Sequence, residues 1–167
     1  MIYPDVTAVE SELLSRLAAD PVLGGWSPEI TAVAGLTERD QVGKLFAKMP
    51  AVGTWCPSGR FEGDQFSQLE TCPIYVICAG VNYRNPAAAR RGDTEHPGAH
   101  HLAECARRVI TAWGQEGNLK NIRPLSWRLA WSNPQIAVVV LEARVELARP
   151  LTPTQEETQS YGSDYPA

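Results

Sequence analysis

Apolar residues change their spacing several times along this chain, and each change marks an element. Val6, Val9, Leu13, Leu14 and Leu17 recur every three or four residues while Glu10, Glu12 and Arg16 fall between them, which predicts a helix over 5–19. Asp5 suits its N-cap, and Pro21 with Gly24 and Gly25 stops it. Residues 29–34 suit a short strand. Thr37 and Asp40 have capping-box spacing ahead of Val42, Leu45, Phe46 and Met49, so a second helix is expected there, ended by Pro50. Strands follow at 51–57 and about 66–80, joined by the turn-rich SGRFEGD, with Pro73 marking an edge or a bulge. Leu102, Cys105, Ala106, Val109, Ile110 and Trp113 form the stripe of a third helix over about 98–113, opposed by Glu104, Arg107 and Arg108, with Gly114 at its C-cap.

Two strands close the pattern. Residues 122–131 carry Trp127, Leu129 and Trp131, which share one face of a strand; these tryptophans are expected in the core with Trp113, the alternative being an exposed apolar patch that demands a subunit partner. After the Asn133-Pro134 turn, Ala137, Val139, Leu141, Ala143, Val145 and Leu147 alternate with Glu142, Arg144 and Glu146 over 136–148. That half-polar strand has one face toward solvent or a partner. The order α-β-α-β-β-α-β-β predicts an α+β fold: a single mostly antiparallel or mixed sheet with helices packed on one face. Residues 1–150 make one domain, and 151–167, LTPTQEETQSYGSDYPA, are a polar tail without periodicity, flexible or ordered only in an assembly.

Composition narrows the class. With 44% hydrophobic residues, 167 residues suffice for a core without staples. A net charge of −4 argues against a globally basic nucleic-acid surface. No apolar run reaches membrane-spanning length, and the N-terminal segment lacks the basic start and apolar block of a secretory signal, so a cytoplasmic chain is expected. Cys56, Cys72, Cys78 and Cys105 include no CxxC pair and read as free thiols in a reducing compartment.

The densest chemistry lies in CPIYVICAGVNYRNPAAARRG, residues 72–92. Ile74 to Cys78 read as a strand buried on both faces, and the chain then turns polar in a loop bearing Arg84, Arg90 and Arg91. Guanidinium groups make planar bidentate bonds to carboxylates, which suits these three residues to a fixed interface. His96, His100, His101, Glu104 and Cys105 are the one cluster with metal-ligand types. Its pairs at four-residue spacing lie about 100° apart around a helix, and a polar helix start is the plainer account. Ser58 and Ser67 lack a nucleophile-elbow context, and the paired Glu156-Glu157 fall on the tail. No Gly-rich phosphate loop follows a strand. These features favour a binding or assembly protein, without catalytic residues, cofactor or metal, over an enzyme.

From residue 5 to residue 149 the order of features resembles the tail-terminator (tail-completion) family of Mu-like phages and prophages. The matching pieces are the amphipathic first helix, a helix ending in AKMPAVGTW, the YRNPAAARRG loop joined to GAHHLAECARRVITAW, and the strands RPLSWRLAW and AVVVLEARVEL. The resemblance implies a virion structural protein at the tail–neck junction, assembled in the host cytoplasm. Such subunits form a ring, usually a hexamer, on the head-proximal end of the tail tube, which ends tube polymerisation and joins tail to neck. Its partners would be further copies of itself, the tail tube protein, a neck or head–tail connector protein, and the sheath as a further candidate. DNA would pass through the ring without sequence-specific binding. The alternatives are a neck or head–tail joining protein and, from another class, a small metal-dependent enzyme using the His96–Cys105 cluster. The polar extension after Pro150 and Pro73 within a strand depart from the family pattern.

Overall fold

A computed structural model of the chain describes residues 5–33, 46, 48–63, 67–116 and 122–150. Helix α1 (Val6–Ala19) begins as expected, with the Asp5 carboxylate accepting from the Ala8 amide at 2.7 Å. Val9, Leu13 and Leu17 are buried at four-residue steps, which turns Leu14 to the margin of the stripe, where it is half-buried. Pro21 does not simply end this helix. Asp20 accepts from the amides of Val22 and Leu23 at 3.0 and 2.9 Å and so caps a second short helix, α2 (Pro21–Trp26). Pro21 sits in its first turn, where a missing N–H leaves no bond unmade.

Among the described residues six strands form one mixed sheet: β1 (Glu29–Ala32), β2 (Ala51–Trp55), β3 (Arg60–Gly63), β4 (Ser67–Val81), β5 (Arg123–Ser132) and β6 (Ile136–Pro150). Their order is β1-β2-β4-β6-β5, with β3 pairing beside β2 along the same edge of β4. Only β1 and β2 run parallel. β4 and β6 pair over fifteen positions, Ser67 with Pro150 through Val81 with Ile136. Part of the expected turn SGRFEGD is strand, since Arg60–Gly63 pair with Gln68–Thr71 as β3. Residues 72–74 face the gap between β2 and β3, so Pro73 interrupts no ladder on that side.

Helices α3 (Pro86–Arg91) and α4 (Ala99–Gln115) complete the described elements. Helices and sheet share one core, in which Val9, Leu13, Leu17 and Leu23 join Leu102, Ile110 and Trp113 against alternate residues of β4 and β6. The alternation in β6 holds: Ala137, Val139, Leu141, Ala143, Val145 and Leu147 all turn to this core. This is the expected α+β fold. On the opposite face a smaller cluster gathers Phe46, Ile77, Ala79, Val138 and Val140, and farther along that face Arg144 is exposed. Helix α4 runs through Gly114 instead of stopping there; a Cβ at this glycine would come within 2.5 Å of the Ile122 carbonyl, so close packing explains it.

The tryptophans of β5 depart from expectation. Register shifts occur between Pro124 and Ser126 and between Leu129 and Trp131. Trp127 therefore pairs with Leu141 on the helix side, while Trp131 pairs with Val138 on the other. Trp113 is fully buried, but Trp127 is 58% exposed. Most of the expected second helix, 37–49, and the tail 151–167 lie outside the described residues. Among the described residues no helix is long and apolar enough to cross a membrane.

Candidate assembly surface

The segment after β4 is a braced frame. Asn82 is nearly buried, and its amide group works in both directions. Its oxygen accepts from the amides of Arg84 and Asn85 at 3.0 and 2.8 Å, while its nitrogen donates to Asp93 at 2.8 Å. Asp93 in turn accepts from the amides of Glu95 and His96 at 2.9 and 2.8 Å. These amide bonds, Glu95 first and then His96, hold the Asp93 carboxyl below the usual range.

What the sequence presents as a loop contains helix α3, capped by Asn85, which accepts from the Ala87 amide at 3.1 Å. Gly92 ends it at φ 85°, a left-handed backbone that disfavours a side chain. Gly80 lies under this turn: a Cβ there would meet the Ala99 amide nitrogen at 2.5 Å. Frame, helix α4 and strand β4 thus touch backbone to backbone.

The frame separates the three arginines into two stations. Arg84 is exposed and lines a cleft of about 480 Å³ with Tyr83, Asp93, Glu95 and His96 above Met49, Pro50 and Val81. Arg90 and Arg91 occupy the last turn of α3, where cations offset the helix dipole. They lie near His100, whose pKa is lowered first by burial and then by these two charges. Among the described residues none of the three arginines forms an ion pair. Neighbouring arginines are committed: Arg107 binds Glu104 at 2.6 and 2.8 Å, Arg108 donates to the Cys105 sulfur at 3.1 Å, and Arg16 bridges Glu12 and Glu116 at 2.7 Å each.

The candidate metal residues turn to different partners. His96 lies in the frame, 3.6 Å from Asp93. His100 stands edge-on to Trp127 at 4.8 Å, His101 faces Trp26 at 6.3 Å, and Cys105 is buried in the core. Among the described residues no three His, Cys, Asp or Glu side chains gather as a metal site. The cysteines are free thiols. Burial and Glu70 push Cys72 up to about 12, and burial also raises Cys78.

Sequence reasoning missed the brace, whose signal was Asn82 and Asp93 flanking the arginines together with Gly80, Gly92 and Gly98. The outer strand β5 exposes Leu125, Trp127 and Leu129, with Trp127 edge-on to His100, which is the partner-facing alternative to burial that the sequence offered for this strand. Edge strands with exposed apolar side chains are ready surfaces for another chain. No protein-family model matches the chain, and no curated protein matches it.

Proposed function

We propose that this protein is a structural subunit of the phage tail-terminator type, which assembles as a closed ring on the head-proximal end of a tail tube. The observation that carries this reading is a set of arginines, Arg84, Arg90 and Arg91, held on a braced frame and without an ion pair among the described residues, on the same molecule as the aromatic-bearing strand β5, which ends the described sheet. A solvated loop has no need of a frame packed backbone against backbone. An interface does, because ordering a loop at the moment of binding subtracts from affinity. The resemblance of YRNPAAARRG and the helix beginning GAHHLAEC to tail terminators gives the assembly its kind. Head-to-tail contacts that close on themselves make a ring, and a ring whose outward face offers no tube contact stops growth.

Native mass measurement of the purified protein tests the ring, with a single closed oligomer expected. Imaging of particles lacking the protein tests the role. Overlong tails are the expected result, whereas normal-length tails detached from heads would make it a joining protein of the neck. A monomer at all concentrations would sink the reading.

A further inference from the structure

The connection between β2 and β3 carries chemistry that the assembly reading does not use. β2 ends at Trp55, opposite Tyr75, and β3 begins at Arg60, opposite Thr71. Residues 56–59, CPSG, therefore span the gap that faces Cys72, Pro73 and Ile74. Cys72 is fully buried in the helix-side core, and Cys56 packs half-buried against that core from its margin.

This short connection brings two sulfurs and a carboxylate to one point. Cys56 Sγ donates to the Ser58 carbonyl at 3.7 Å. Cys72 Sγ lies 3.1 Å from where a Cβ on the next residue, Gly59, would stand. Gly59 thus leaves open the space across which the two thiols share a hydrogen bond. Glu70 Oε1 is 2.5 Å from the same Cβ position, and this nearly buried carboxylate also bonds to the Cys72 thiol. The other thiols, Cys78 and Cys105, are buried, so a reagent in solution meets Cys56 first.

We propose that Cys56 and Cys72 form a thiol–disulfide exchange site, closed to an intrachain disulfide by a small-molecule disulfide of the glutathione class. The Cys56 thiolate attacks one sulfur of the reagent, a mixed disulfide forms and one reagent thiolate leaves. Cys72 then passes its proton to Glu70 and attacks the Cys56 sulfur, which breaks the mixed disulfide and releases the second reagent thiolate. Each leaving thiolate takes up one proton, the first that of Cys56 and the second that of Cys72 from Glu70. Both cysteine sulfurs are oxidised and both reagent sulfurs are reduced. Burial and then Glu70 push Cys72 up to about 12, so the second step is the slower. The product staples the end of β2 to β4 across fifteen intervening residues, which include all of β3 and its exposed Phe61. It forms within one subunit and stands whether or not the ring does.

The test treats the full chain with excess oxidised glutathione at about pH 8.5, the ordinary cysteine pKa. Intact mass is expected to show a glutathione adduct that gives way to a chain lighter than the reduced one by two hydrogens. Peptide mapping is expected to join Cys56 to Cys72. Cys72→Ala should stop at the adduct on Cys56, and Cys56→Ser should leave Cys72 unmodified. If Cys72→Ala does not fold, the map of the wild-type chain decides by the pair it joins. A lasting adduct on wild-type Cys56, no reaction, or a link between any other pair overturns the proposal. Closing a loop of this length is expected to raise the folding equilibrium constant about a hundredfold. An oxidised chain whose denaturant midpoint is equal to or below that of the reduced chain overturns the staple.

Discussion

Gly92 and Gly98 meet backbone to backbone: a Cβ on Gly98 would collide with the Gly92 amide nitrogen and lie 2.6 Å from the Arg90 carbonyl oxygen. The turn that carries the arginines is thereby welded to the N-cap residue of α4. Gly98→Ala should destabilise the fold by about 1–3 kcal/mol, the usual cost of overpacking a site with no room to yield. Gly24, where an added methyl would meet nothing within 4 Å, is the control. Gly24→Ala in α2 should be neutral or stabilising by about 0.5–1 kcal/mol. Denaturant titration of both variants checks the contrast, and equal effects would disprove the weld.

Asp93 makes the frame sensitive to acid. Its pKa lies below the ordinary 3.8, because amide donors favour the carboxylate. A lowered folded-state pKa means that the stabilisation is fully present above the unfolded value and is lost as pH falls through the folded one. Wild type should therefore exceed Asp93→Ala in stability at pH 6, and the gap should narrow as the pH drops below about 3.8. Paired melts from pH 6 to pH 3 measure it. A gap that stays constant would mean that the carboxylate charge is irrelevant.

Trp113 within α4 and Trp127 on β5 should behave oppositely. Trp113 is fully buried with Arg16 stacked 5.1 Å from its ring, and Trp113→Ala should cost about 3–5 kcal/mol. Trp127 is mostly exposed, so Trp127→Ala should cost the monomer less than about 1 kcal/mol. In the proposed ring it should instead weaken association. Chemical unfolding of the monomer and sedimentation of the assembly separate the two effects.

Thiol titration offers a test of burial. A Cys72 pKa raised to about 12 leaves roughly one molecule in ten thousand as thiolate at pH 8. In native protein a disulfide reagent should modify Cys56, the half-buried one, well before Cys72 or Cys78, and denaturant should release all four. Fast reaction at Cys78 would contradict the core described here.

Elements with strict periodicity were legible in the sequence alone. The stripe of α4 and the alternation of β6 specify burial by themselves, because each follows a single regular spacing. The failures came where spacing breaks. One extra residue near Ala130 moves Trp131 to the opposite face from Trp127, and a period-two count has no means of seeing a bulge. Helices α2 and α3 hold six residues each, too few to display a helical period, and both begin with a proline that also signals a stop. The arginines were recognisable as chemistry, but their division between a cleft and a helix end depends on Asn82 bonding to Asp93 eleven residues away. Non-local hydrogen bonds leave no local signature.

The fifteen-position ladder between β4 and β6 gives the molecule a mechanical grain. A pull along these strands loads every rung at once, as shear does in a lap joint. A pull across them opens one rung at a time, as a zipper does. The protein is therefore stiff and strong along one axis and comparatively easy to peel along another. The α3 arginines and the exit at Pro150 sit near the two ends of the strong axis, so a tension applied between them is carried by the whole length of the joint.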